Sequence, residues 1–136
     1  MPGEKPTSWR PKNFLLVFAG VLFFDQLLKR ISFQSGNYVE NRKGLFGLET
    51  NPQFSFLALG LFLAIILSAF RSRKSIARLY LPLALLLGGI LSNLLDRIRL
   101  GFIIDHISLQ GICAFNLADI AISFGALIFI WRITKE

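Results

Sequence analysis

Asp105 and Asp119 stand at i and i+14, the first closing Gly101-Phe102-Ile103-Ile104-Asp105 and the second closing Phe115-Asn116-Leu117-Ala118-Asp119. The second lies near the start of an apolar run over 112–131. A carboxylate at bilayer depth costs about 2.5–3.5 kcal/mol even on insertion scales, so its presence argues for function. Paired acids support two chemistries in this setting. In one, two carboxylates hold a water and share a proton. One acts as general base on the water while the other, protonated, polarises a scissile carbonyl and later helps the leaving amine depart. Like charges close together force one pKa upward and so divide the labour. In the other, the acids bind or relay a cation across a bilayer, but the inner halves of the apolar runs offer no charged relay. Metal hydrolysis is a third possibility, with Asp105, His106, Asn116 and Asp119 as candidate ligands. His106 is the single histidine and shares no metal-ligand spacing. The plainer alternative is a bundle in which Asp25–Lys29, Asp96–Arg97 and Asn116–Asp119 only pack and orient helices.

The elements that position these residues follow from composition. A length of 136 residues leaves room for one domain. Hydrophobic residues make up 54%, mean hydropathy is +0.59, and the apolar residues come in long blocks, which marks an integral membrane protein. The net charge of +7 is spread between those blocks and forms no basic domain, so lipid and membrane orientation account for it and nucleic acid does not. Cys113 is the lone cysteine, which excludes an intrachain disulfide and fits a packing role. The run over 14–24 passes straight into Asp25-Gln26 without a small-residue cleavage pattern, so no cleavable signal peptide is expected.

The expected fold is an all-α membrane protein of four transmembrane helices, over about 14–31, 54–70, 79–95 and 112–131, in one membrane-embedded domain. Residues 1–13 form a short tail with Trp9 at headgroup level, and 32–53 form a small amphipathic β or re-entrant element. Pro82 is expected in the first turn of the third helix, and Gly88-Gly89 at its middle permits close approach of a neighbour. Four spans place both termini on one side. That side holds nine Lys and Arg against Glu4 and Glu136, the other six against six acids, so the termini are expected in the cytoplasm and every aspartate at the outer side. Asp25 and Lys29 are i, i+4 on the first helix. Asn93, Asp96 and Arg97 form one face of the third, and Asn116, Asp119 and Ser123 a matching face of the fourth.

These residues resemble the lipoprotein signal peptidases, the bacterial type II signal peptidases. Asp25-Gln26-Leu27-Leu28-Lys29 is similar to the family's Asp-Gln-x-x-Lys, and Asn41, Gly44, Phe46 and Gly47 to its first outer loop. Gly88-Gly89 with Asn93-Leu94-Leu95-Asp96-Arg97 resembles its Gly-Gly…Asn-x-x-Asp-Arg element. The segments ending in Asp105 and Asp119 resemble the two that carry its catalytic aspartates, in the family's order. Ser92 replaces a usual glycine, His106 stands where phenylalanine is expected, and the stretch from Asp105 to Asn116 is short for the family.

The resemblance implies an aspartic endopeptidase with catalytic Asp105 and Asp119, supported by Asn93, Asp96, Arg97, Asn116, Asp25, Lys29, Asn41 and Phe46. In this reading Asn93 and Asn116 orient the carboxylates or the substrate backbone, Arg97 pairs with Asp96, and Asn41 with Phe46 clamps an extended substrate. It further implies diacylglyceryl-modified prolipoproteins as substrates, cut before the lipidated cysteine. No cofactor or metal, a monomer among membrane lipids, inhibition by globomycin-type cyclic peptides, and an outward-facing site in the bacterial cytoplasmic (inner) membrane complete the expectation.

Overall fold

In the computed structural model, the described residues include three long helices: α1 (Pro11–Ser35), α2 (Arg73–Leu100) and α3 (Leu117–Ile133). The described residues are 11–43, 60, 67 and 73–135, so the span expected over 54–70 and the Phe46 loop lie outside them. α2 packs against both other helices and is the central one. Its segment Ala77–Leu100 is 24 residues with hydropathy 1.6, long and apolar enough by length and composition to cross a membrane.

The distribution of side chains is inverted relative to a water-soluble bundle. Leu15, Leu16 and Phe23 of α1 and Phe124, Leu127 and Ile130 of α3 are exposed, while Asp25, Lys29, Ser92, Asn93, Asp96, Asn116 and Asp119 are buried. Water would penalise both halves of that pattern; a hydrocarbon surround favours the first and forces polar groups to find partners inside.

Helix bounds differ from the sequence reading at three places. α2 begins at Arg73, ahead of the expected start near 79, so Pro82 lies inside the helix, not in its first turn. Arg and Lys are good helix formers, and nothing between 73 and 82 breaks the helix. α3 begins at Leu117 instead of 112, because Cys113–Phe115 is a strand. α1 and α2, at 25 and 28 residues, extend to about 38 and 42 Å at 1.5 Å per residue, longer than the apolar cores that the sequence marks.

Two glycines decide how closely the chain folds. A Cβ on Gly89 would lie 2.6 Å from the Ala118 carbonyl and 2.7 Å from Ile122 Cγ1, while one on Gly88 would meet the Phe18 carbonyl and Val21 at 3.0 Å. The pair therefore lets α1 and α3 approach α2 on two adjoining faces, about 100° apart, as expected of small residues in membrane helices. Gly89→Ala must push α3 away at the turn that carries Asp119, an overpacking cost of about 1–3 kcal/mol. Thermal unfolding in detergent should show it as a lowered Tm, with Gly20→Ala as a near-silent control because a Cβ there meets no described atom of a neighbouring element within 4 Å. Gly101 ends α2 in the left-handed conformation (φ 78°), its N–H returning to the Arg97 carbonyl at 3.0 Å.

That turn delivers the chain into β2 (Ile103–Asp105), which pairs antiparallel with β1 (Val39–Asn41) in the register Val39 to Asp105 and Asn41 to Ile103. Buried Phe102 is stacked on Tyr38 (6.4 Å) and capped by the Arg42 guanidinium (5.2 Å), fixing β1 over the helix ends. A hairpin of β3 (Ile107–Leu109) and β4 (Cys113–Phe115) then leads to α3. Both strands pairing as β1 and β2 come from the connections on which the sequence placed a small β element and Asp105.

Candidate active site

Asn116 is where the site is assembled. Its extended backbone (φ −133°, ψ 175°) makes it the N-cap of α3, and its Oδ1 accepts the Asp119 N–H at 2.9 Å. Asp119 Oδ2 accepts the Asn116 N–H in return at 3.2 Å, a reciprocal capping box with Asn and Asp in the two roles. The same pairing satisfies helix-end donors and fixes the Asp119 carboxylate. Asn116 Nδ2 then donates to Asp105 Oδ1 at 2.8 Å, to Asn93 Oδ1 at 3.1 Å and more weakly to the Ile104 carbonyl at 3.4 Å. One amide thus ties together β2, α2 and the start of α3.

Asn93 carries the network onward. Its Nδ2 donates to Asp119 Oδ1 at 2.9 Å, and its Oδ1 accepts from Lys29 Nζ at 2.8 Å. Lys29 also bonds Asp25 Oδ2 at 2.7 Å and Asp96 Oδ2 at 2.9 Å, with all three side chains buried. Asp25 holds the three helices together: it accepts from Ser92 Oγ at 2.6 Å and from the Ala118 N–H at 2.8 Å. Asp96 accepts from Gln26 Nε2 at 2.9 Å and, through Oδ2, from the Ile104 N–H at 3.2 Å. Asn41 lies on the same face as Asp105, two residues off in register, and hydrogen-bonds it.

This sorts the four aspartates into two kinds. Asp25 and Asp96 share a buried ammonium and accept further hydrogen bonds, the arrangement that makes a buried ion tolerable. Asp105 and Asp119 are equally buried, but among the described residues their contacts are amide donors and no cation bridges them. Burial first, and then the neighbouring Asp119 charge, push the Asp105 carboxyl up to about 6 against the opposing hydrogen bonds of Asn41 and Asn116. Among the described residues, no group of three or more His, Cys, Asp and Glu is placed to hold a metal ion. What the arrangement does is hold two carboxyl groups that Asn116 bonds in common, through its side-chain amide to Asp105 and its backbone N–H to Asp119.

The family model for signal peptidase (SPase) II matches residues 17–135. The chain belongs to the signal peptidase II family. It is 39% identical to the lipoprotein signal peptidase of Moorella thermoacetica over 88% of this chain and 91% of that one. Against the Caldanaerobacter subterraneus and Burkholderia ambifaria lipoprotein signal peptidases it is 33% identical in each case, over 84% and 94% of this chain and 90% and 91% of theirs. Its fold is similar to that of a bacterial membrane enzyme solved at 2.3 Å, with TM-score 0.78 at 21% identity over 97% of this chain and 93% of that one. A second such enzyme, solved at 1.9 Å, gives TM-score 0.71 at 20% identity over 98% and 99%. With membership of the signal peptidase II family comes an aspartic peptidase that removes signal peptides from lipoprotein precursors.

Most of the residues singled out in the sequence of this signal peptidase II member meet at one end of the bundle, with three differences. Arg97 does not pair with Asp96; it is half-buried and donates to the Lys43 carbonyl at 3.4 Å. Adjacent helical positions point about 100° apart, so Lys29 and Gln26 from α1 reach Asp96 and Arg97 cannot. Ser123 donates to the Asp119 backbone carbonyl and makes no second polar row, and Asn116 precedes α3 rather than lying on its face. Asn41 is engaged with Asp105 and the Lys43 N–H, so its present contacts orient an aspartate.

The sequence reading undervalued Gln26 and Ser92. Gln26 Nε2 donates to Ser92 Oγ (2.8 Å) as well as to Asp96, cross-linking α1 to α2. Their signal was available: each is a polar residue one position from a buried aspartate or asparagine, inside an apolar run. Among the described residues, both buried ring nitrogens of His106 have no hydrogen-bond partner, and burial holds its pKa below the usual imidazole value. It is therefore neutral at pH 7 and adds no charge beside Asp105.

Proposed function

We propose that Asp105 and Asp119 form the catalytic dyad of an aspartic endopeptidase that cuts diacylglyceryl-modified prolipoproteins on the amino side of the lipidated cysteine. The observation that carries this reading is the division of the four aspartates: Lys29 binds Asp25 and Asp96, leaving Asp105 and Asp119 joined by Asn116. In the resting enzyme the pair holds one proton. The ionised carboxylate takes a proton from a water, and the resulting hydroxide adds to the scissile carbonyl carbon as the protonated partner gives its proton to the carbonyl oxygen. The carboxyl that received the water's proton then protonates the amide nitrogen while its ionised partner takes back a hydroxyl proton. The C–N bond breaks, the signal peptide leaves with a new carboxyl group, and the pair again holds one proton. The cysteine keeps its thioether lipid and gains a free amine. Asn116 and Asn93 hold the two carboxylates in place throughout. Every step uses groups of this chain, the substrate and water, so no cofactor is needed.

In this reading the chain crosses the bacterial cytoplasmic membrane four times as a monomer, with both termini cytoplasmic and the dyad at the outer surface. The inverted burial pattern and the charge asymmetry of the connections support it. A globomycin-type cyclic peptide is expected to inhibit by occupying the substrate's place at the dyad.

The test is cleavage of a lipid-modified prolipoprotein by the purified chain across pH. The reaction needs the last proton on the pair, which titrates as a unit. With Asp105 raised to about 6, kcat/KM should fall by about tenfold per pH unit above that value. A rate that stays flat from pH 5 to 8 would count against a shared proton.

A further inference from the structure

The outer end of the bundle is neutral by sequence, yet its charges are not mixed. Asp25, Asp96, Asp105 and Asp119 are all buried with Lys29, whereas Arg30, Arg42, Lys43 and Arg99 are exposed. The exposed acid among the described residues at that end, Glu40, is bonded to Arg42 at 2.9 Å. A basic collar therefore surrounds an acidic interior. Arg30 has no carboxylate within ion-pair distance among the described residues. Among the same residues Arg99 makes a single long contact, 3.5 Å to Gln26 Oε1.

Both arginines border a groove of about 750 Å³ between α1 and α2. Its walls are apolar, with Phe18, Leu22 and Phe23 on one side and Leu95 on the other, and Gln26, Lys29 and Asp96 reach into it at the level of the buried network. From Phe18 to Arg30 the groove covers about 18 Å of helix, close to one leaflet of a hydrocarbon core about 30 Å thick. A second groove, of about 440 Å³ between α1 and α3, is lined by apolar residues alone and has no base at its mouth. The two grooves thus suit different occupants. A neutral diacylglyceryl chain has no use for two guanidinium groups; a phosphate does, and the planar donor fork of arginine matches its oxygens.

We propose that the α1–α2 groove is a binding site for one anionic phospholipid of the leaflet on the active-site side, its phosphate on Arg30 and Arg99 and an acyl chain along Phe18, Leu22, Phe23 and Leu95. The site rests on the membrane-embedded reading above and is separate from the dyad, since neither Asp105 nor Asp119 borders the groove. It reaches the active site indirectly, because Lys29 and Asp96 face the groove and also hold Asn93 and the Ile104 N–H.

The experiment places the full chain in phosphatidylcholine nanodiscs titrated with phosphatidylglycerol and counts retained lipid by native mass spectrometry. One phosphatidylglycerol per chain should be held saturably, and millimolar inorganic phosphate should not displace it. Arg30→Gln with Arg99→Gln should weaken retention about thirtyfold, the loss of two interfacial charges. Leu22→Trp, which fills the chain channel and leaves both charges, should reduce retention too and serves if the double variant does not fold. Graded uptake without saturation, or saturable uptake untouched by both variants, would overturn the site. Displacement by a neutral diacylglyceryl-cysteine peptide would overturn it as well, by giving the groove to the substrate. Cleavage of a lipid-modified prolipoprotein, measured in the same phosphatidylcholine discs, fails separately if the peptidase reading is wrong, because the lipid count does not depend on it.

Discussion

Asp105→Asn should remove signal-peptide cleavage while the purified protein stays folded in detergent. The loss is at least about 10³-fold in kcat, at the scale of an acid–base group acting directly on the reacting atoms. The side chain keeps its size and one carbonyl oxygen, whose two lone pairs can accept from both Asn116 Nδ2 and Asn41, the donors that Asp105 now serves. What disappears is the ability to hold or release a proton. Asp119→Asn should be as inactive but less stable. Asp119 accepts at both oxygens, from Asn93 Nδ2 and from the Asn116 N–H, and an amide must turn an NH₂ toward one of those donors. Losing one buried hydrogen bond and facing donor to donor costs about 1–3 kcal/mol. The two variants therefore separate chemistry from architecture: equal loss of turnover with unequal Tm. Measured cleavage by either variant within tenfold of the parent enzyme would remove that aspartate from the reaction, whatever its effect on Tm.

The difference between those two aspartates also shows what the chain made legible. Local patterns were readable in part: Asp25 and Lys29 at i, i+4 form a 2.7 Å ion pair and Asn93 and Asp96 share a face, whereas Asn116 and Asp119, read as one face of the fourth helix, form the capping box at its start. Gly88-Gly89 announced close helix approach, and the structure has it on two adjoining faces of α2. The unreadable part is what crosses between elements. Nothing in spacing says that Lys29 reaches Asp96, 67 positions away, or that Gln26 reaches Ser92. The entry to α3 was misjudged for a different reason. Ile112 to Phe115 is apolar and continues into a helical run, so periodicity alone merges the two. Gly111 at φ 76°, with the Ile112 N–H on the Leu109 carbonyl, turns the chain into a hairpin instead. That hairpin packs the short stretch after Asp105 into β3, a turn and β4 and delivers Asn116 to its N-cap position.

Lys29 is the position where stability and catalysis are most tightly joined, and Lys29→Met should produce the largest loss of stability of any single change at this site. The ammonium is 1% exposed and has three acceptors, Asp25 Oδ2, Asp96 Oδ2 and Asn93 Oδ1. Methionine fills a similar volume, so the effect is one of charge: two buried carboxylates lose the cation they share. Breaking a buried pair from one side costs about 3–5 kcal/mol, because the partner is left uncompensated. Asp25→Asn should cost less, since Lys29 then retains Asp96 and the new amide oxygen still accepts from Ser92 or Ala118. The ordering matters more than either value. If the four acids formed one interchangeable cluster, removing a single acid would relieve repulsion and Asp25→Asn would stabilise. With Lys29 committed to two of them, Tm must fall in the order parent, Asp25→Asn, Lys29→Met. Turnover should follow stability for Asp25→Asn but fall further for Lys29→Met. Asn93 then loses the donor on its Oδ1 and is freed to rotate away from Asp119. A Lys29→Met protein as stable as the parent would show that the carboxylates it touches are protonated, and that Lys29 does not divide the aspartates into two kinds.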